Sequence, residues 1–306
     1  MGRQIIDPGE CAANIVDVHG EVGREWLGRL PATITECVGR WSLDILTPFK
    51  GLSYNYVTPA TTADGRPVVI KAGVPSDELT SEIEALRLFD GKGMVRLLEA
   101  DTDSGVMLLE RLLPGTALSD LDDDDEVIRS AIWVLRRLCR SAPTGHGFRL
   151  LSDWASRSFA EAKDHFGGSD DPLSHDLIDT AQNLFSELID PRNEQTLIHG
   201  DFHPQNVLRS ERDSWLAIDP KGVVGDPLYD IAVLVCQPPR QPAELGPKQL
   251  LARRIDQVTE ELVVDRQLIT RWCLAHSVLS GCWAFGDHGD RWQPAFDRAR
   301  LLKSLL

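Results

Sequence analysis

The chain has 306 residues, of which 42% are hydrophobic and 26% charged, enough apolar material for packed cores in one two-lobed enzyme or two domains. Its formal charge of −15 and sequence pI near 4.9 argue against nucleic acid as a partner, because a polyanion is repelled at long range. Six scattered cysteines without a Cys-x-x-Cys pair read as reduced thiols, the N-terminal stretch has no apolar signal-like core, and no apolar run approaches the ~18 residues of a membrane span. The expectation is a cytoplasmic protein with no membrane association.

In chain order, residues 21–40 alternate apolar and charged positions at helical spacing, and Pro31 is expected to interrupt the helix. Lys50-Gly-Leu-Ser-Tyr-Asn55 is a small polar turn, Asp64-Gly65 is a hairpin signal, and Val68-Val-Ile-Lys71 is a β-branched strand ending in a lysine. From Leu79 to Asp90 the sequence reads as a helix with Leu79, Ile83 and Leu86 on one face. Glu82 flanks that face and is the better partner for Lys71, whereas Glu84 projects from roughly the opposite side. Met107-Leu-Leu-Glu-Arg-Leu112 is a buried strand. The acidic run Asp122–Glu126 precedes a helical pattern whose N-terminus it would complement as a solvated cap.

The most specific segment is Leu197-Ile-His-Gly-Asp-Phe-His-Pro-Gln-Asn206, followed by Trp215-Leu-Ala-Ile-Asp219. Leu197 and Ile198 anchor a short buried strand, after which Gly200 and Pro204 turn the backbone into a stiff loop. That loop carries Asp201, a carboxylate able to orient a substrate hydroxyl and accept its proton. Asn206 offers a neutral oxygen ligand, and a second short strand returns Asp219 to the same place to hold Mg²⁺ against nucleotide phosphates. A rival reading takes His199, Asp201 and His203 as alternate ligands of a transition metal, but leaves Asn206, Asp219 and Lys71 without roles. Further on, Gln237–Pro242 reads as a linker. Leu268, Trp272, Ala275 and Leu279 share a core-facing helical stripe, and Trp283, near Asp287 and Asp290, is a candidate for an acceptor pocket.

His199-Gly-Asp-Phe-His-Pro-Gln-Asn206, with Ile218-Asp219 and Gly225-Asp-Pro-Leu-Tyr-Asp230, resembles the signature of the aminoglycoside phosphotransferases. The resemblance implies an α+β, bilobal protein-kinase-like fold, with a small antiparallel-sheet N-lobe over residues 1–112 and a larger, mainly helical C-lobe over residues 113–306. It implies that Asp201 is the catalytic base, that Asn206 and Asp219 are Mg²⁺ ligands, and that Asp230 braces the catalytic loop. Lys71 becomes the phosphate-binding lysine with Glu82 as its partner, and Ser53 a phosphate donor in a glycine-poor loop. Glu110 to Leu112 become hinge residues meeting the adenine through their main chain.

Gly23-Arg-Glu-Trp-Leu27, Gly93–Asp101, Met107–Leu112 and Trp215–Pro220 further resemble the streptomycin 6-phosphotransferase and hydroxyurea resistance kinase branch. That branch implies a monomeric kinase using ATP, or GTP in its place, on a cationic small molecule. Streptomycin, at the 6-hydroxyl of its streptidine ring, is the first choice; hydroxyurea, a sugar or an amino alcohol stay open. An inactive kinase-shaped binding module is the alternative from another class, set against the presence of Lys71, Glu82, Asp201, Asn206 and Asp219.

Overall fold

The computed structural model describes residue 9 and residues 11–49, 54–166, 172–190, 195–238, 245–288 and 292–306. They form two compact units, Met1–Gly115 and Thr116–Leu306.

The first unit runs α1 (Cys11–Trp41), β1 (Leu43–Ile45), β2 (Tyr56–Thr62), β3 (Pro67–Ala72), α2 (Asp77–Phe89), β4 (Leu97–Asp101) and β5 (Val106–Glu110). Contrary to the expected interruption at Pro31, α1 runs through that residue and breaks at Gly20, whose φ of 57° and ψ of −129° are non-helical. A mid-helix proline costs about 3 kcal/mol. The buried stripe Gly23, Trp26, Leu30, Ile34 and Cys37 continues across it and offsets that loss. At Gly23 a Cβ would stand 2.6 Å from the Ile15 carbonyl oxygen, so the two arms of α1 approach too closely for any side chain there.

The strands form one antiparallel sheet in the order β1-β2-β3-β5-β4. Asp64-Gly65 closes the β2–β3 hairpin, with Gly65 at φ 83°. The α1 stripe packs with Tyr56, Ala60, Val68, Ile70, Val106 and Leu108 into one core. Arg40 pairs with Asp101 at 2.5 Å, fixing the end of α1 to β4. Ser76 caps α2 by accepting from the Leu79 N–H at 3.2 Å, and Leu79, Ile83 and Leu86 are buried on the face the spacing predicted.

The division between the units falls in β6 (Pro114–Ala117). There follow α3 (Asp124–Leu138), β7 (Arg140–Ser141), β8 (Arg149–Leu150), α4 (Leu151–Phe166), α5 (Pro172–Leu188), β9 (Thr196–Ile198), β10 (Val207–Ser210), β11 (Trp215–Ala217) and β12 (Val223–Val224). The chain closes with α6 (Leu228–Val235), α7 (Pro247–Leu262), α8 (Arg266–His288) and α9 (Gln293–Lys303). Trp272 on α8 is fully buried, edge-on to Phe185 at 5.7 Å and to Tyr229 at 6.2 Å, as a core stripe requires. Asp123 caps α3 by accepting from the Asp125 and Glu126 N–H groups. The acidic run is not simply a solvated cap, because Asp124 forms ion pairs with Arg253 and with the buried Arg254, tying α3 to α7. The proposed linker at Gln237–Pro242 lies mostly outside the described residues, as does Asp290; the side chain of Asp287 is likewise not described.

Two small sheets shape the loops between the helices. β9 lies between β7 and β12, antiparallel to both, and β8 runs parallel to β12, with Ile198 opposite Val223 and Val223 opposite Arg149. β10 and β11 form an antiparallel hairpin with Val207 opposite Ala217. All six cysteines are free thiols, five of them buried, and Cys139 is exposed. Among the described residues no helix is long and apolar enough to cross a membrane.

Burial of His276 on α8, beside the Tyr229 ring at 5.4 Å and with the Arg298 cation adding repulsion, pushes its pKa down to about 3. A histidine depressed in the folded state binds its proton more readily when unfolded, so it subtracts stability as pH falls below about 6.5. The expected result is that His276→Leu has a shallower dependence of unfolding free energy on pH than the parent chain between about pH 6 and pH 5, by about 1.4 kcal/mol per pH unit. Urea unfolding at each pH measures it, and parallel curves for the two proteins contradict it.

Candidate active site

β9 ends at Ile198 and delivers His199, Gly200 and Asp201 into a loop that two buried side chains hold from behind. The Asp230 carboxylate, in the first turn of α6, accepts from the His199 N–H and the Gly200 N–H, each at 2.8 Å. Burial pushes Asp230 up to about 7, against the downward pull of those two donors. Gly200 sits at φ 82°, and a Cβ there would come 3.1 Å from side-chain atoms of Lys221 and Val223, so the bend that presents Asp201 requires glycine.

His199 links the loop to the segment after β11 that carries Asp219. Its Nδ1 accepts from the Asp201 N–H at 3.3 Å, so Nε2 carries the proton and donates to the Ile218 carbonyl at 2.7 Å. Complete burial pushes the imidazole down to about 4 and keeps it neutral, which this pair of bonds demands. Both ring nitrogens are thereby engaged inside the protein, and the reading of His199 as a transition-metal ligand fails. Two backbone bonds strengthen the same seam: Ile218 N–H to Asn206 O at 2.9 Å and Lys221 N–H to His199 O at 2.7 Å.

The structure therefore brings Asp201, Asn206 and Asp219 onto one laced framework. The Asp201 side chain is 40% exposed, so its carboxylate is accessible to a substrate. The Asn206 amide donates to the Asp201 carbonyl at 3.1 Å, which turns its Oδ1 away from that bond as an oxygen able to ligate. Asp219 adopts left-handed backbone at φ 58°, a conformation Asp tolerates better than most residues and one that marks functional loops. His203 lies with Nε2 3.7 Å from Asp201 Oδ2 and its side chain 21% exposed, so it stands beside the carboxylate rather than facing solvent. Asn206 and Asp219 supply hard oxygen donors, too few to enclose a cation by themselves. Among the described residues no cluster of three His, Cys, Asp or Glu side chains could hold a metal. That donor set suits Mg²⁺, which keeps waters and takes the rest of its coordination from phosphates.

In the first unit, Lys71 on β3 pairs with Glu82 on α2 at 2.5 Å, the side chains only 3% and 10% exposed. Glu84 instead pairs with Arg87. Glu110 is committed to the sheet end: its N–H donates to the Arg96 carbonyl at 3.0 Å and its carboxylate accepts from the Arg96 N–H at 2.9 Å. Its N–H is thus not available to a base, while Leu112 lies buried beyond the end of β5. Ser53 and the rest of the Lys50–Ser53 turn lie outside the described residues.

One aromatic element was only half legible. Trp283 stacks on Trp154 at 4.5 Å between ring centroids and donates from Nε1 to Ser158 at 2.8 Å. Trp154, at the start of α4, shows no sequence signal of its own; only the packing of α4 against α8 brings it to Trp283.

The description "Aminoglycoside/hydroxyurea antibiotic resistance kinase" fits residues 40–288, most of the chain. The chain belongs to this family of small-molecule kinases. It is 35% identical to a streptomycin 6-kinase of Streptomyces griseus over 269 residues, 88% of this chain and 87% of that one. It is 34% identical to a hydroxyurea phosphotransferase of Kitasatospora aureofaciens over 286 residues, 91% of this chain and 81% of that one. An amicoumacin kinase, solved with AMP-PNP, Ca²⁺ and Ami, superimposes with a TM-score of 0.63 at 13% identity, covering 90% of this chain and 92% of its own. The fold is accordingly α+β and protein-kinase-like, an antiparallel sheet in the first unit and mainly helices in the second.

Proposed function

We propose that the chain transfers the γ-phosphoryl group of ATP to a hydroxyl of streptomycin, at the 6-position of its streptidine ring. The observation that carries this reading is the framework joining Asp201, Asn206 and Asp219, held by the buried His199 and Asp230, in a chain so similar over most of its length to a streptomycin 6-kinase. Residues 1–112 supply the nucleotide grip: Lys71, held by Glu82, binds phosphate oxygens, Ser53 donates to them, and the main chain near Leu112 meets the adenine. Residues 113–306 supply acceptor binding and catalysis. Asp201 accepts a hydrogen bond from the acceptor hydroxyl, orients its oxygen and takes its proton. Asn206 and Asp219 would hold Mg²⁺, which when bound neutralises phosphate charge. The gain then comes from positioning and charge stabilisation without a covalent intermediate.

Two features favour a cationic acceptor. The chain carries a net charge of −15. The half-buried indoles of Trp154 and Trp283 form a stacked pair, an aromatic surface of the kind on which a guanidinium can stack. The test is to incubate the purified chain with ATP and Mg²⁺ and, separately, streptomycin, other aminoglycosides, hydroxyurea and small alcohols, following phosphoryl mass gain. Streptomycin is expected to be phosphorylated in preference. Product from hydroxyurea alone overturns the acceptor assignment, and no product from any acceptor despite nucleotide binding makes the chain a binding module.

The metal assignment has its own consequence. In Asp219→Ala the Mg²⁺ concentration for half-maximal nucleotide binding is expected to rise by about tenfold or more, since one of two protein ligands is gone. Calorimetric titration at several Mg²⁺ concentrations measures it; an unchanged Mg²⁺ dependence removes Asp219 from the metal site.

A further inference from the structure

Behind the catalytic loop, within the second unit, lies an open pocket of about 260 Å³. Its walls include Leu135 and Leu138 from α3, Leu197 and Ile198 from β9, and Leu228 and Ile231 from α6. Asp230 reaches its lining, and Arg136 and Cys139 stand with it. Nothing in the proposed phosphoryl transfer uses this space.

Two of the polar side chains around it already have partners within the fold. Asp230 holds the His199 and Gly200 N–H groups, and Arg136 donates to the Glu261 carbonyl at the C-terminal end of α7. The walls are chiefly leucine, isoleucine, valine and proline side chains, against which a charged ligand would lose its hydration, whereas an uncharged apolar one exchanges water for aliphatic contact. The volume lies just below the usual range of about 300–1,000 Å³ for ligand pockets, which limits the occupant to about the size of one substituted ring.

We propose that this pocket is a second ligand site, for a small uncharged apolar molecule, and that its occupation acts on the catalytic loop. The route is short: Leu197 and Ile198 run directly into His199, and Asp230 is both a pocket wall and the acceptor for the His199 and Gly200 N–H groups. A ring packed against Asp230 and β9 backs the carboxylate that holds those two N–H groups and restrains the strand that presents Asp201. The acceptor and the nucleotide have no part in this inference, so its fate is separate from that of the proposed transfer reaction.

Cys139 gives the test a handle, being the exposed one of six free cysteines and part of the pocket lining. The full chain is labelled at Cys139 with 2-phenylethyl methanethiosulfonate, which places a ring at the pocket mouth, or with methyl methanethiosulfonate, which does not. Amide hydrogen exchange is then read in the peptide covering Leu197–Asp201, with no substrate present. The phenylethyl adduct is expected to exchange at least threefold more slowly than the methyl adduct. Leu135→Trp, which fills the pocket from α3, is expected to abolish the difference while still melting cooperatively. Equal exchange in the two adducts overturns the proposal, as does a phenylethyl effect that persists in folded Leu135→Trp. Cys139→Ser, treated with both reagents, is expected to show no difference, and a difference there places the effect at another thiol and overturns it equally.

Discussion

Asp201→Asn is expected to bind nucleotide as tightly as the parent chain and to turn over about 10²–10⁴-fold more slowly, the usual worth of a positioned general base. The substitution is nearly isosteric and removes only the charge and the proton-accepting oxygen. What holds the loop is the backbone of this segment: the Asp201 N–H on His199 Nδ1, the Asp201 carbonyl under the Asn206 amide, and the His199 and Gly200 N–H groups on Asp230. None of these bonds uses the Asp201 side chain, so the loop and the Asn206–Asp219 seam stay in place. The loss should therefore appear in kcat, with nucleotide Kd unchanged. Single-turnover kinetics beside a nucleotide titration separate the two. Normal turnover in the variant removes Asp201 from the chemistry, and a large rise in nucleotide Kd means that its carboxylate serves binding instead.

How much of this site could be read from the sequence depends on the range of each interaction. Asp201, Asn206 and Asp219 lie within nineteen positions of one another, and the glycine, the proline and two short apolar runs between them dictate the turns that bring them together. The Lys71–Glu82 pair was equally legible, because strand alternation and helical spacing each leave one face for a polar side chain. Long-range packing was not. The continuation of α1 through Pro31 is decided by a stripe whose partners lie on β2, β3 and β5, and the pairing of Asp124 with Arg254 joins helices far apart in the chain. Trp154 is silent until α8 lies against it. The role of the Glu110 N–H is likewise a sheet property: it belongs to the Arg96 carbonyl where β4 begins in a bulged register beside β5. The tautomer of His199 follows from two backbone atoms that only the folded chain brings to its ring.

Lys71→Ala is expected to destabilise the chain by about 3–5 kcal/mol and to weaken nucleotide binding as well, because it withdraws the ammonium that neutralises a buried carboxylate. Lys71 and Glu82 are 3% and 10% exposed, so water cannot take over the role of the missing partner. The two effects have different origins and can be separated. Replacing both members, Lys71→Met with Glu82→Leu, puts apolar groups of similar size where the ion pair was and leaves no unpaired charge, an exchange that is often neutral or stabilising. The double variant should therefore recover most of the stability lost in Lys71→Ala, while nucleotide affinity, which needs the ammonium itself, should not return. Urea midpoints for the parent and the two variants give the first comparison, and calorimetric nucleotide titration gives the second. Recovery of both in the double variant makes the pair purely structural and takes the phosphate-binding role from Lys71. Failure to recover stability means that the ion pair does more for α2 and β3 than cancel its own charges.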